Sequence, residues 1–193
     1  MARARDGQSG SRRLWFYRVE VLLAVAVLTH LLVVWALPRV IMDRVFRAFP
    51  QELSAPDSRD RVYFPPMTDA TQRRIVMPSP DLLYATCVFD LRERPLRIQA
   101  DARTPNYWSI ALYAANSDNF FVLNDRQAAA RPVDLVVLGP GGYPGAPALP
   151  AGAQVVTAPS NRGMLLMRVL VGDYDRERAV VEAARRTLRC QPL

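Results

Sequence analysis

The chain has 193 residues, half of them hydrophobic, and a formal net charge of +7. That length and composition suit one domain with a core plus an appended segment, and exclude an intrinsically disordered protein. All 25 basic residues are arginine, so there is no lysine for a Schiff base or for a phosphate-binding P-loop.

The single histidine, His30, falls inside an apolar run. The rest of the chain therefore has no imidazole for a Ser-His-Asp, Cys-His or His-metal arrangement. The basic charge is concentrated at one end. Arginines 3, 5, 12, 13, 18 and 39 against Asp6 and Glu20 give residues 1–39 a net +4, and the remainder carries only +3. No basic stripe interleaved with aromatics follows, which argues against nucleic acid and for membrane topology.

Residues 1–13 are small, polar and basic, and are expected to form a disordered cytoplasmic tail. Residues 14–38 read as a transmembrane anchor. Val19 to Leu37 is apolar except for Glu20, Thr29 and His30, and as a helix spans roughly 28 Å, close to a bilayer's hydrocarbon core. Trp15, Phe16, Tyr17 and Trp35 flank it where amphipathic rings favour headgroups, and Arg12, Arg13 and Arg18 keep the short N-terminus inside. A cleaved signal peptide is the alternative, but its apolar region is usually shorter and Trp35-Ala36-Leu37-Pro38 is a poor cleavage site. His30 near mid-span reads as a neutral imidazole hydrogen-bonded within the membrane.

Residues 39–80 form a proline-rich connector, with one short helical piece from Val40 to Phe49 and an extended path beyond it. Strands are expected at 82–90, 95–100, 107–113, 120–124, 133–138, 154–157 and 164–171, separated by turn clusters such as Asn116-Ser117-Asp118-Asn119. Tyr107 to Tyr113 alternates: Trp108, Ile110 and Leu112 form one face, Tyr107, Ser109, Ala111 and Tyr113 the other. The segment GPGGYPG has no following helix or lysine and is a surface loop, not a phosphate cradle. Asp175 to Arg189 reads as a helix capped by Asp173 or Asp175, with Val180, Val181, Ala184 and Leu188 as its apolar stripe and Arg185, Arg186 and Arg189 at its C-terminal dipole. The pattern as a whole predicts a mainly β, antiparallel sandwich or jelly-roll-like domain over 81–193, with a C-terminal helix.

Pro80-Asp81-Leu82-Leu83-Tyr84, then Val88-Phe89-Asp90-Leu91, Tyr107-Trp108-Ser109 and Asp118-Asn119-Phe120 carry a family likeness. The stretch 75–125 resembles domain of unknown function 1254 (DUF1254), whose wording is close to N-x-D-T-L-Y, FDL, YYS-x-Q-L-x-D and T-N-x-F. The resemblance is greatest to short, membrane-anchored bacterial members. It implies a β-rich fold, no dependable activity, and a separate protein supplying the companion domain (DUF1214) that longer members carry. Leu82 replaces the motif's threonine, Ser79 stands near its asparagine, and Ala111 and Ala114 take the places of its glutamine and aspartate.

Asp81, Asp90, Asp118 and Asp125 are the acid–base candidates, with Tyr84 beside them; each aspartate also suits a turn or strand end. Tyr84, Tyr107 and Tyr113 could line a ligand-binding sheet face, with Asn119 nearby and Arg97 or Arg126 as an anion contact; the simpler account is that aromatics favour strands. No D-x-D-x-D-G spacing suggests a metal, and no cofactor is expected. Cys87 and Cys190 suit a disulfide in an oxidising compartment; the alternative is a buried Cys87 and a free thiol at Cys190. The expected function is a non-enzymatic binding or accessory subunit of the cell envelope, anchored in the inner membrane with its β-domain periplasmic. The alternative is a hydrolase or isomerase of an envelope sugar or lipid acting through Asp81, Asp90 and Tyr84.

Overall fold

A computed structural model describes residues 6–48, 62–68, 78–128, 132–143 and 149–193. The described chain divides into two compact units, 1–41 and 42–193. Helix α1 (Asp6–Ala48) begins in the first. It is longer than the expected span: the helix starts within the sequence assigned to the polar tail and continues through Pro38 into the connector. Nothing in Asp6–Arg13 stops it, and one proline costs a long helix a single backbone bond. Residues 1–5 lie outside the described residues. The stretch from Arg12 is long and apolar enough to cross a membrane; Leu22 and Leu28 are about two-thirds exposed, and His30 is exposed among them. Near its end Arg39 folds back on Trp35, donating Nη1–H to the Trp35 carbonyl at 2.5 Å and lying 4.4 Å from the ring centroid. That posture suits an arginine at the margin of an apolar segment.

The last two turns of α1 belong to the second unit. Met42, Val45 and Phe46 share one helix face and are buried there, and the Arg162 guanidinium lies 4.4 Å over the Phe46 ring.

The second unit is two packed sheets. Strands β1 (Val62–Tyr63), β2 (Leu82–Asp90), β3 (Leu96–Ala100), β4 (Trp108–Ala114) and β5 (Asn119–Asn124) come first. A short turn of helix, α2 (Asp125–Ala128), leads to β6 (Val133–Leu138), β7 (Gln154–Thr157) and β8 (Arg162–Leu170). Helix α3 (Tyr174–Arg185) and β9 (Arg189–Pro192) follow. One sheet has the order β1-β2-β8-β4-β5, the other β7-β6-β3-β9.

The cores of both sheets come from strict alternation. Leu83, Ala85, Cys87 and Phe89 of β2 face inward with Leu165, Met167 and Val169 of β8 and Trp108, Ile110 and Leu112 of β4. From the other sheet they meet Leu96, Ile98, Leu135 and Val137. Gly163 lies where β8 passes the Phe89 ring, and a Cβ there would come within 2.6 Å of the Tyr113 carbonyl oxygen, so this crossing requires glycine.

Several expectations are corrected. The four-stranded sheet is mixed, because β6 and β7 pair in parallel; the link 139–153 is long enough for the crossover a parallel pair needs. Together with the helices this makes the protein mixed α/β rather than an all-antiparallel β-domain. The C-terminal helix stops at Arg185, and Arg189–Pro192 becomes a strand beside β3. Buried Cys190 explains that choice: a strand turns it into the core, two residues after buried Leu188. Val180, assigned to the apolar stripe, is instead 45% exposed. The connector contributes β1, paired with β2 through Val62↔Cys87, whereas its parts 49–61 and 69–77 lie outside the described residues.

Candidate functional site

Asp81 sits in the turn before β2 and Asp90 at its far end; nine residue steps of largely extended chain put them roughly 30 Å apart. Asp90 is held by Arg92, whose Nε and Nη2 donate to the carboxylate at 2.9 and 2.6 Å. Burial pushes the Asp90 carboxyl up, but the bonds from the Arg92 side chain and backbone, with the charges of Arg92 and Arg162, bring it below the usual range. Such a carboxylate is a poor proton donor near neutrality. Tyr84 uses its hydroxyl to accept from the Ser79 N–H at 2.9 Å. Asp118 belongs to the β4–β5 turn, where its backbone carbonyl accepts from Ala114 and its carboxylate from Asn116. Asp125 opens α2, and Asn124 and Gln127 exchange reciprocal bonds there. The structure does not bring Asp81, Tyr84 and Asp90 to one point.

The tyrosines share a face without converging. Tyr84, Tyr107 and Tyr113 all lie on the outer side of the five-stranded sheet, but Tyr107 and Tyr113 are six residues apart along one strand, roughly 20 Å. Asn119 is the cross-strand partner of Tyr113. Arg126 is exposed on α2. Arg97 is on the outer face of the opposite sheet, bound to Asp134 by paired bonds of 2.9 and 2.7 Å. The side-chain bond from Arg97 outweighs the opposing burial and holds the Asp134 carboxyl below the ordinary carboxylate range.

The arginine that does reach the tyrosine face is Arg168 of β8. It stands in a cross-strand row between Tyr84 and Ser109, with Asn124 beyond. Its Nη2 donates to the Tyr113 hydroxyl at 2.8 Å. Its Nε is buried and has no acceptor among the described residues, as is Asp125 Oδ1. Around it the face is largely apolar: Leu166 and Ala111 in the next row, and Tyr63, Val122, Leu170 and Tyr107 exposed by 39 to 46%. Sequence reasoning passed over Arg168, although a signal exists. Arg162, Met164, Leu166, Arg168 and Leu170 alternate with buried residues, which leaves one arginine in the middle of an apolar outer stripe.

A different arginine is structural. Arg185 is 2% exposed and donates to the Pro65 and Tyr84 carbonyls at 2.6 and 2.9 Å and to the Glu182 carboxylate. It ties α3 to β2 and to the segment before it, instead of serving the helix dipole in solvent. Cys87 and Cys190 form a disulfide between β2 and β9, with Cα atoms 6.6 Å apart. Both are fully buried, so the bond crosses the core from one sheet to the other.

Comparisons place this arrangement. The VPA0106 protein from Vibrio parahaemolyticus has a similar fold, with a TM-score of 0.62 at 14% identity over 83% of this chain and 36% of that one. An uncharacterized protein from Burkholderia cenocepacia aligns with a TM-score of 0.47 at 18% identity, over 79% of this chain and 39% of that one. The chain thus spans little more than a third of the length of either. Comparison with curated proteins finds no match. The family model for proteins of unknown function DUF1254 matches residues 60–192, from β1 to β9. This chain belongs to the DUF1254 family.

Proposed function

We propose that this protein is a membrane-anchored binding or accessory subunit of an envelope complex, with a single span, a cytoplasmic N-terminus and a periplasmic sandwich, in the bacterial inner membrane. The apolar helix and the disulfide together suggest an extracytoplasmic domain, since a structural disulfide persists in oxidising compartments. One observation carries the accessory role: the outer face of the five-stranded sheet exposes Tyr63, Val122, Leu170 and Tyr107 around Arg168, whose Nε is buried without an acceptor among the described residues. A separate polypeptide, of the DUF1214-like companion kind, is the partner that this reading expects. The dispersal of Asp81, Tyr84 and Asp90 favours binding over the hydrolase or isomerase alternative.

Affinity purification of the tagged full chain from detergent-solubilised membranes tests this reading. The expected result is one partner polypeptide in stoichiometric amount. A solitary, monodisperse protein overturns it.

A further inference from the structure

We propose that the outer face of the five-stranded sheet is the docking surface for a partner protein, which seats an aspartate or glutamate carboxylate on Arg168 between apolar side chains. This deepens the accessory-subunit reading and rests on it.

The charge bookkeeping of the arginines carries the argument. Arg97 and Arg185 each hold a carboxylate through at least two bonds. Arg168, part-buried in mid-sheet, pairs with no carboxylate among the described residues. Among the described residues its one hydrogen-bond acceptor is the Tyr113 hydroxyl, and Nε is shut away from solvent without one. Such a group is costly in the free chain, because a buried donor without an acceptor loses its bonds to water. Because Nε is closed to solvent, an outside carboxylate would meet the guanidinium end-on, through two parallel bonds from Nη1 and the Nη2 hydrogen that Tyr113 does not take.

The surroundings define the rest of the partner. Beyond the row of Tyr84, Ser109 and Asn124 beside it, Leu166, Val122, Leu170 and Tyr63 make the face apolar, the pattern of an interface centre with one arginine anchor. The complementary surface is therefore apolar with a single acid.

The test uses the full chain in its native membrane, with photoreactive p-benzoylphenylalanine replacing Val122 or Leu170 on the proposed face, or Val155 on the outer face of the other sheet. Val155 is 46% exposed, as is Val122, and serves as the control. The expected result is an adduct with another polypeptide from positions 122 and 170 but not 155, mapping beside an aspartate or glutamate. Arg168→Glu should cut adduct yield roughly tenfold or more, as truncating a buried charge pair does. The reverse substitution of the partner's acid should restore it. The Cys87–Cys190 disulfide, read on non-reducing gels, verifies that each variant folds.

An adduct with lipid, an adduct with a second copy of this chain, or a yield indifferent to Arg168→Glu overturns the proposal. So does a stoichiometric partner whose adducts form only at position 155, which leaves the accessory role standing and removes this surface. Absence of any co-purifying partner sinks the accessory role itself.

Discussion

The two outer faces of the sandwich treat the same residue in opposite ways. On the four-stranded sheet Arg97 closes on Asp134, on a face that also carries Gln99, Arg189 and Gln191. On the five-stranded sheet Arg168 has a tyrosine hydroxyl and, among the described residues, no acid. Both arginines are part-buried on the outer face of their sheet. One arginine is thus balanced within its own sheet, whereas the other has no carboxylate partner among the described residues. Stability and binding make different demands on a surface, and under the docking proposal they fall to different sheets.

The comparison requires that the sheets stay together, and the disulfide is the strongest single tie. The double substitution Cys87→Ala/Cys190→Ala opens a loop of 103 residues and should lower unfolding free energy by about 4–5 kcal/mol on the chain-entropy account. Chemical denaturation of the oxidised protein against the double variant measures it. A loss under about 1 kcal/mol would mean that the sheets hold without the bond.

Next in size is Arg185→Met. It leaves Glu182 without its main partner and frees two backbone carbonyls, so a loss of about 3 kcal/mol is expected, visible as a lower denaturation midpoint with unchanged slope.

The smallest effects sharpen the contrast most. Arg168→Met removes an uncompensated charge and should leave the free chain's melting temperature unchanged or raise it, whereas Arg97→Met should lower it slightly. The second effect must depend on pH. Asp134 is held below its unfolded value, so the pair's contribution is complete above about pH 4 and fades as pH falls through the folded pKa. Melting curves from pH 6 to pH 3 should show the Arg97→Met protein converging on the wild type at the acid end. A decrease for Arg168→Met equal to that for Arg97→Met would erase the distinction between the faces.

Much of the fold was legible in the sequence because period-2 alternation and turn residues are local. The expected strands at 82–90, 133–138 and 154–157 are the observed β2, β6 and β7. What escaped depended on distant partners. Val62–Tyr63 is too short to announce itself and is a strand only because β2 lies beside it. Arg189–Pro192 continues a helical pattern locally, yet β3 and Cys87 draw it into a sheet. Arg185 looked like a solvent-facing dipole partner because nothing near it in sequence reveals the Pro65 and Tyr84 carbonyls. The candidate site followed the same rule. Tyr84 and Tyr113 were readable as strand aromatics, but the arginine between their strands comes from β8, some fifty residues later, and only pairing reveals it.

The position of β9 has a consequence for the order of assembly. Strand β3 is flanked by β6 on one side and by residues 189–192 on the other, and the cystine partner of Cys87 lies in that same late segment. Cys87 precedes its mate by 103 residues, and until residues 189–192 are in place β3 has an open edge and Cys87 has no cystine partner. The sandwich can close only after that late segment has been supplied.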